Sequence, residues 1–195
     1  GWLYQNGIAV SKNQDEAIKW YKLAAEQNHK QAQFNLGLIY FKNKSLNDNY
    51  YTAIKWFTKS AEQGVPEAQY NLGIIYLDGL GVVQNFSKAF SNFLLSAENG
   101  FEMSQYKLSL MFLNGWGTDT DKIKAFMWVN IAASRNHEQS IKKRDELLKI
   151  LCCPDSQQNL ELSDEKLLND INQGIKSRLV KNRGGEIIEN EVQYL

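Results

Sequence analysis

The chain has 195 residues, 43% of them hydrophobic, with 22 basic and 22 acidic side chains. The hydrophobic share is ordinary for a packed fold and excludes a disordered chain. The charge, balanced on both sides of residue 138, opposes the clustered positive surface that nucleic-acid binding needs. No apolar run approaches the roughly 20 residues of a membrane helix, so membrane insertion is not expected.

Taken in order, the chain repeats itself. Tyr4, Tyr40, Tyr76 and Phe112 lie 36 residues apart, as do Gly1, Gly37 and Gly73, with Ser109 in the fourth copy. Leu36, Leu72 and Leu108 match, and so do Ala17, Ala53, Ala89 and Ala125. Tyr21, Phe57, Phe93 and Val129 share a register, followed by Ala25, Ala61, Ala97 and Ala133. A fixed period of this length predicts a stacked helical solenoid. The first copy opens at Gly1 in mid-repeat, so the chain is expected to be a segment of a longer array, and the lack of a signal peptide carries no weight.

Within the first full unit, a helix is predicted over residues 31–42, with Ala32, Leu36, Gly37 and Tyr40 on its packing face. Glycine inside a helix costs around 1 kcal/mol against alanine. Its return at one register predicts an adjoining backbone too close for a β-carbon. A second helix is predicted over residues 50–63, packing through Ala53, Phe57, Ser60 and Ala61. Asn13, Asn49, Asn85 and Asp121 stand just before the second helices as N-caps, whose side-chain oxygens accept unpaired backbone N–H groups; Glu16 completes a capping box with the first. Asn28, Gly64, Gly100 and Asn136 follow the second helices, where a left-handed residue ends a helix. Pro66 falls at a helix start, a favoured place. The loops between the helices carry Gly79, Gly81, Gly115 and Gly117. They lack the Gly-Lys-Ser/Thr of a phosphate loop and read as turns.

These units resemble Sel-one-like repeats, relatives of the tetratricopeptide repeats. The resemblance rests on Ala68-Gln69, Asn71-Leu72-Gly73, Tyr76, Gly79, Gly81-Val82, Ala89, Ala97-Glu98 and Gly100. Copy two carries Ala32-Gln33, Asn35-Leu36-Gly37, Tyr40, Trp56, Ser60-Ala61-Glu62 and Gly64. Copy two departs at Asn43 and Ser45, and copy four at Ser104, Lys107 and Ser109. The resemblance implies an all-α fold: a right-handed superhelix of antiparallel helix pairs with first helices on the concave side. It also implies scaffold or adaptor work on a protein or peptide partner. The secreted branch with two cysteines per repeat is not resembled.

The array is expected to cover residues 1–138. Residues 139–195 read as a degenerate first helix near 140–151, a polar connection, a helix capped by Ser163 with a Leu167, Leu168, Ile171, Ile175 and Leu179 stripe, and a tail from residue 182. An atypical last unit is what a solenoid needs to close its end. Cys152 and Cys153 are adjacent, rarely a disulfide geometry, and read as idle or buried thiols. No metal-ligand spacing and no cofactor motif is present. The Asn and Lys abundance fits a bacterial source, in the cytoplasm or periplasm.

A helical wheel leaves Phe34, Asn35, Leu38 and Phe41 on the side of the first helix away from its packing face. Tyr70, Asn71 and Ile74 follow in copy three, and Tyr106, Lys107 and Leu110 in copy four. An apolar stripe there is either a groove for a partner's peptide or helix, or a stripe covered by neighbouring helices. Asn35, Asn71 and Lys107 share one register and are candidates to hold a peptide backbone or carboxylate; alternatively, the asparagines bond to a neighbouring helix. His29 and His137 lie three units apart, read as surface-turn residues, and cannot share a metal. Ser104…Lys107 and Ser140…Lys143 match the Ser-x-x-Lys pair of penicillin-recognising enzymes. With no Ser-Asp-Asn or Lys-Thr-Gly beside them, a β-lactam hydrolase is the rival to a scaffold, as is a purely architectural segment.

Overall fold

The computed structural model describes residues 1–42, 49–135 and 137–151, with side chains through residue 148. Those residues form helices and turns without strands: α1 (Trp2–Asn6), α2 (Gln14–Glu26), α3 (Lys30–Lys42), α4 (Asn49–Glu62), α5 (Pro66–Asp78), α6 (Phe86–Glu98), α7 (Glu102–Asn114), α8 (Lys122–Ala133) and α9 (Glu138–Leu151). The Asn43 and Ser45 turn, Asn136, Cys152 and Cys153, the Ser163 helix and the tail lie outside the described residues. Two compact units divide the chain, Gly1–Asn92 and Phe93–Leu195. In the first, α1 packs on α2, α2 on α3, α3 on α4 and α4 on α5; in the second, α7 packs on α8 and α8 on α9.

The predicted faces are buried except at Tyr40 and Ala61, which are half-buried. Leu36, Ala53 and Phe57 are fully enclosed, and Ala32 nearly so. The glycine register is occupied differently from the expectation. A β-carbon on Gly37 would lie 2.6 Å from the Phe57 ring, and one on Gly1 2.6 Å from the Tyr21 ring. An aromatic ring of the following helix, rather than a crossing backbone, fills the space that glycine leaves. Neighbouring pairs then share cores. Trp56 of α4 lies with Ala17, Tyr21 and Ala25 of α2 and with Leu36 and Ile39 of α3. Ala68, Leu72 and Ile75 of α5 lie with Ala53 and Phe57 of α4.

A buried amide adds a polar fastener at one register. Gln33, Gln69 and Gln105 donate from Nε2 to the carbonyls of Ala25, Ala61 and Ala97 at 3.1, 3.2 and 3.2 Å. Those carbonyls belong to the last turn of a second-type helix, where they also accept the amides of Asn28, Gly64 and Gly100. The Gln33 Oε1 accepts in turn from Gln63 Nε2 at 2.7 Å.

Helix ends follow the predicted signals with two differences. Asn13 Oδ1 accepts from the Asp15 and Glu16 amides, Asn85 from Lys88, and Asp121 from Lys124. Asn49 instead forms the first residue of α4, buried, and its Nδ2 has no partner among the described residues; an inward amide cannot present its oxygen to the helix start as the other caps do. Asn28, Gly64 and Gly100 take positive φ of 65°, 77° and 83°. The residue after each bonds back to the carbonyls of Ala24, Ser60 and Ser96, a Schellman closure. The second difference is that the histidines cap first-type helices. His29 Nδ1 accepts the Ala32 amide at 3.1 Å, and His137 Nδ1 the Ser140 amide at 3.3 Å.

Two predictions follow from this geometry. Gly37→Ala should destabilise the protein by roughly 1–3 kcal/mol, because the enclosed Phe57 ring has nowhere to move. That reverses the gain alanine normally brings inside a helix. Urea unfolding followed by circular dichroism reads the sign, and Phe57→Leu in the same background should return part of the loss. For Asp121, burial raises the carboxyl pKa, but the Lys124 and Ile123 amides and the Lys124 ammonium outweigh it and hold the group below its ordinary 3.8. A lowered folded pKa stabilises above the unfolded value and is lost as pH falls through the folded one. Asp121→Ala should cost about 1 kcal/mol at neutral pH, and thermal melts should show the gap between wild type and Asp121→Asn shrinking as pH drops from 4 toward 2.

Candidate partner-binding surface

The predicted binding residues sit on three first-type helices, α3, α5 and α7, each half-buried. On α3, packing uses much of the stripe. The Phe34 and Phe41 ring centroids lie 6.0 and 6.1 Å from that of Phe57, and Phe41 meets Tyr50 edge-on at 5.7 Å. Leu38 rests on the same cluster. On α5, Tyr70, Asn71 and Ile74 keep part of their surface while Leu72, Gly73 and Ile75 between them are buried. In the second unit, Tyr106, Lys107 and Leu110 stand on α7. There the Tyr106 ring centroid is 5.4 Å from that of His137, at a 49° tilt.

The polar groups of this side are held differently in each copy. Asn35 hydrogen-bonds to the Tyr21 side chain, a neighbouring-helix contact. The Tyr21 hydroxyl also donates to Gln5 Oε1 at 2.6 Å. Burial raises the Tyr21 pKa, with the Asn35 bond working the other way. Asn71 turns to its own helix, donating from Nδ2 to the Glu67 carbonyl at 2.7 Å. Burial first, then the Asp78 carboxylate, pushes the Tyr70 phenol above its ordinary value. That hydroxyl therefore keeps its proton at neutral pH.

The His137 contact with Tyr106 is the piece that sequence reasoning missed. The 36-residue period places His137 just ahead of a first-type helix, but histidine is not among the usual capping residues. A helical wheel drawn within one helix also cannot show a ring arriving from beyond the next helix.

A model of the Sel1 repeat matches four successive stretches, residues 1–29, 30–65, 66–101 and 103–137. The chain belongs to the Sel1 repeat family. Among solved structures it is similar to c5321, a protective antigen present in uropathogenic Escherichia coli strains that displays an SLR fold. The two share 30% identity and a TM-score of 0.75, over 91% of this chain and 36% of that one. It is also similar to a Sel1 repeat protein from Oxalobacter formigenes, at 30% identity and a TM-score of 0.71, over 76% of this chain and 59% of that one. The chain thus spans about a third and three fifths of those two proteins. No curated protein matches the sequence. The architecture is the all-α, tetratricopeptide-like SLR solenoid, and Sel1 repeat proteins generally act as protein–protein interaction scaffolds.

In this Sel1 repeat chain the Ser-x-x-Lys serines are structural. Ser104 is fully buried, and its Oγ donates to the Ser96 Oγ at 2.6 Å. Ser140 is equally buried, with its Oγ 2.6 Å from His137 Nδ1. Neither hydroxyl reaches the surface to meet a substrate. Among the described residues no three His, Cys, Asp or Glu side chains gather as a metal site, and no helix is long and apolar enough to cross a membrane. Nitrocefin turnover by the wild-type chain should equal that of Ser104→Ala. The same substitution should cost about 1 kcal/mol in a thermal melt, because it removes the buried bond to the Ser96 hydroxyl.

Proposed function

We propose that the protein is a scaffold that holds a peptide or helix of a partner protein on the side lined by its first-type helices. Phe34, Asn35, Leu38, Phe41, Tyr70, Asn71 and Ile74 supply contacts in the first unit, and Tyr106, Lys107 and Leu110 supply contacts in the second. The observation that carries this reading is the unfinished burial on α5. Tyr70, Ile74 and Leu77 remain half-exposed on a helix whose other face is fully packed. Aromatic side chains with a wet polar tip and an apolar body are common anchors at interfaces. Tyr70 has both, with a protonated hydroxyl.

The division of labour on this surface differs from helix to helix. On α3 the rings of Phe34 and Phe41 belong mostly to the core, so that helix offers edges of rings rather than whole faces. On α5, Tyr70, Ile74 and Leu77 are half-buried, and this helix makes the central contact. With no net charge on the chain, the affinity of the α3 and α5 contacts rests on apolar burial and hydrogen bonding rather than on long-range attraction.

The test is the paired substitution Tyr70→Ala and Asn71→Ala. Both side chains are partly exposed, so far-ultraviolet circular dichroism should match wild type. A partner crosslinked to the wild-type chain in its source cell, then purified, should bind the double variant at least about tenfold more weakly, the loss of two interface anchors. Equal binding by both proteins would end this reading of α5.

A further inference from the structure

Where α1, α2 and α3 meet, the first unit holds an open cleft of about 600 Å³. Its lining includes the amides of Gln5, Asn6 and Gln14, the side chains of Lys12 and Lys42, and an apolar wall of Leu38 and Ile39. The 36-residue period explains why the cleft is open. One unit later, Gln5 becomes Phe41 and Gln14 becomes Tyr50. Those two rings meet edge-on at 5.7 Å, and Phe41 also packs 6.1 Å from Phe57. In the first copy the counterpart of Phe57 is Tyr21, whose hydroxyl donates to Gln5 Oε1. A cluster of three rings has been exchanged for a hydrogen-bonded amide and phenol, and the space of two rings is left open to solvent.

The chemistry of that space is specific. Three amides offer donors and acceptors. Neither Lys12 nor Lys42 has an ion-pair partner among the described residues. The described lining carries no carboxylate. Two ammonium groups over an apolar wall match a side chain that ends in a carboxylate and has a methylene stem, with an aliphatic neighbour beside it. Charge-assisted hydrogen bonds from ammonium to carboxylate are about twice as strong as neutral ones.

We infer that this cleft is a subsite for a glutamate-bearing, partly aliphatic extended segment of the partner protein. The inference rests on the scaffold reading and adds to it a ligand chemistry and a second place of contact. Lys12 and Lys42 take the carboxylate, Gln5 and Gln14 orient the peptide backbone, and Leu38 and Ile39 receive the aliphatic residue.

Fluorescence anisotropy of the full chain with a fluorescein-labelled Glu-Leu-Glu-Leu-Glu-Leu peptide tests it. The Glu peptide should bind roughly tenfold or more tightly than its Gln-Leu counterpart, and binding should weaken as ionic strength rises. Gln5→Phe with Gln14→Tyr fills the cleft as the next repeat does. It should abolish binding while the melting temperature holds or rises. Lys12→Glu with Lys42→Glu, on exposed side chains, should weaken binding roughly tenfold or more, and this pair decides the matter should the filled variant not fold. Equal binding of the Gln-Leu peptide, competition by inorganic phosphate as effective as by unlabelled Glu-Leu peptide, undiminished binding to the filled or charge-reversed chain, or no binding at all would overturn the inference. A purified partner that is lost from the Tyr70→Ala, Asn71→Ala chain but held equally by the filled one leaves the scaffold reading standing and ends this one.

Discussion

The Phe57 ring resting on Gly37 sets the scale of the first unit. A helix pair separated by one ring thickness has a very thin interior, with room for one layer of side chains. Ala53 beside the ring and Leu36 beside the glycine complete that layer. Such a pair cannot bury the rest of its apolar surface alone. Trp56, Ile39, Leu72 and Ile75 are apolar side chains that need a neighbour, and each is enclosed in a core shared between successive elements. Stacking is therefore a requirement of the pair's thinness, and the repeat period follows from it.

Apolar stacking alone would let one pair slide on the next, because burial is non-directional. The glutamine at the second turn of α3, α5 and α7 removes that freedom. Its amide meets a carbonyl at the end of the preceding second-type helix, a group that also accepts the turn amide of Asn28, Gly64 or Gly100 and gains a second, cross-helix donor here. Losing such a bond leaves a buried glutamine amide short of a partner, at about 1–3 kcal/mol, so a slipped register is penalised where an apolar contact would tolerate it. The Schellman closure at Asn28, Gly64 and Gly100 brings the carbonyl into place. The same turn thus ends one helix, presents its last carbonyls and starts the next.

Most of this architecture is legible in the sequence because it is written several times. A cap at Asn13, Asn85 and Asp121, or an alanine at Ala17, Ala53, Ala89 and Ala125, gains weight from its spacing. What escapes is of two kinds. Polar residues that are buried look like surface residues to a hydrophobic wheel, so the interior roles of Gln33, Gln69 and Gln105 were not visible as packing, nor was the inward turn of Asn49. Contacts between elements are also invisible within one helix. Phe34 and Phe41 project away from the α3 packing face, yet meet Phe57 because the ring over Gly37 is wide enough to extend past it. The apolar row on α3 shares in the core for that reason.

Repetition also separates structure from use within a single chain. Positions whose partner lies in the same or the adjoining helix pair recur with little change, since each copy must satisfy the same geometry. Gln33, Gln69 and Gln105 are of this kind. The pairs Gln5 and Phe41, and Gln14 and Tyr50, are not: they occupy one register with opposite chemistry. Replacing a ring by an amide at a packed site forfeits apolar burial worth about 25 cal/mol for each Å². The first copy softens that loss by placing a hydroxyl on Tyr21 to meet the Gln5 amide, a compensation that a ring at this site would not need. A matched change at two positions, with a hydrogen bond to hold it, keeps the space open at a cost in stability. That cost makes physical sense where an open, hydrogen-bonding space has an occupant.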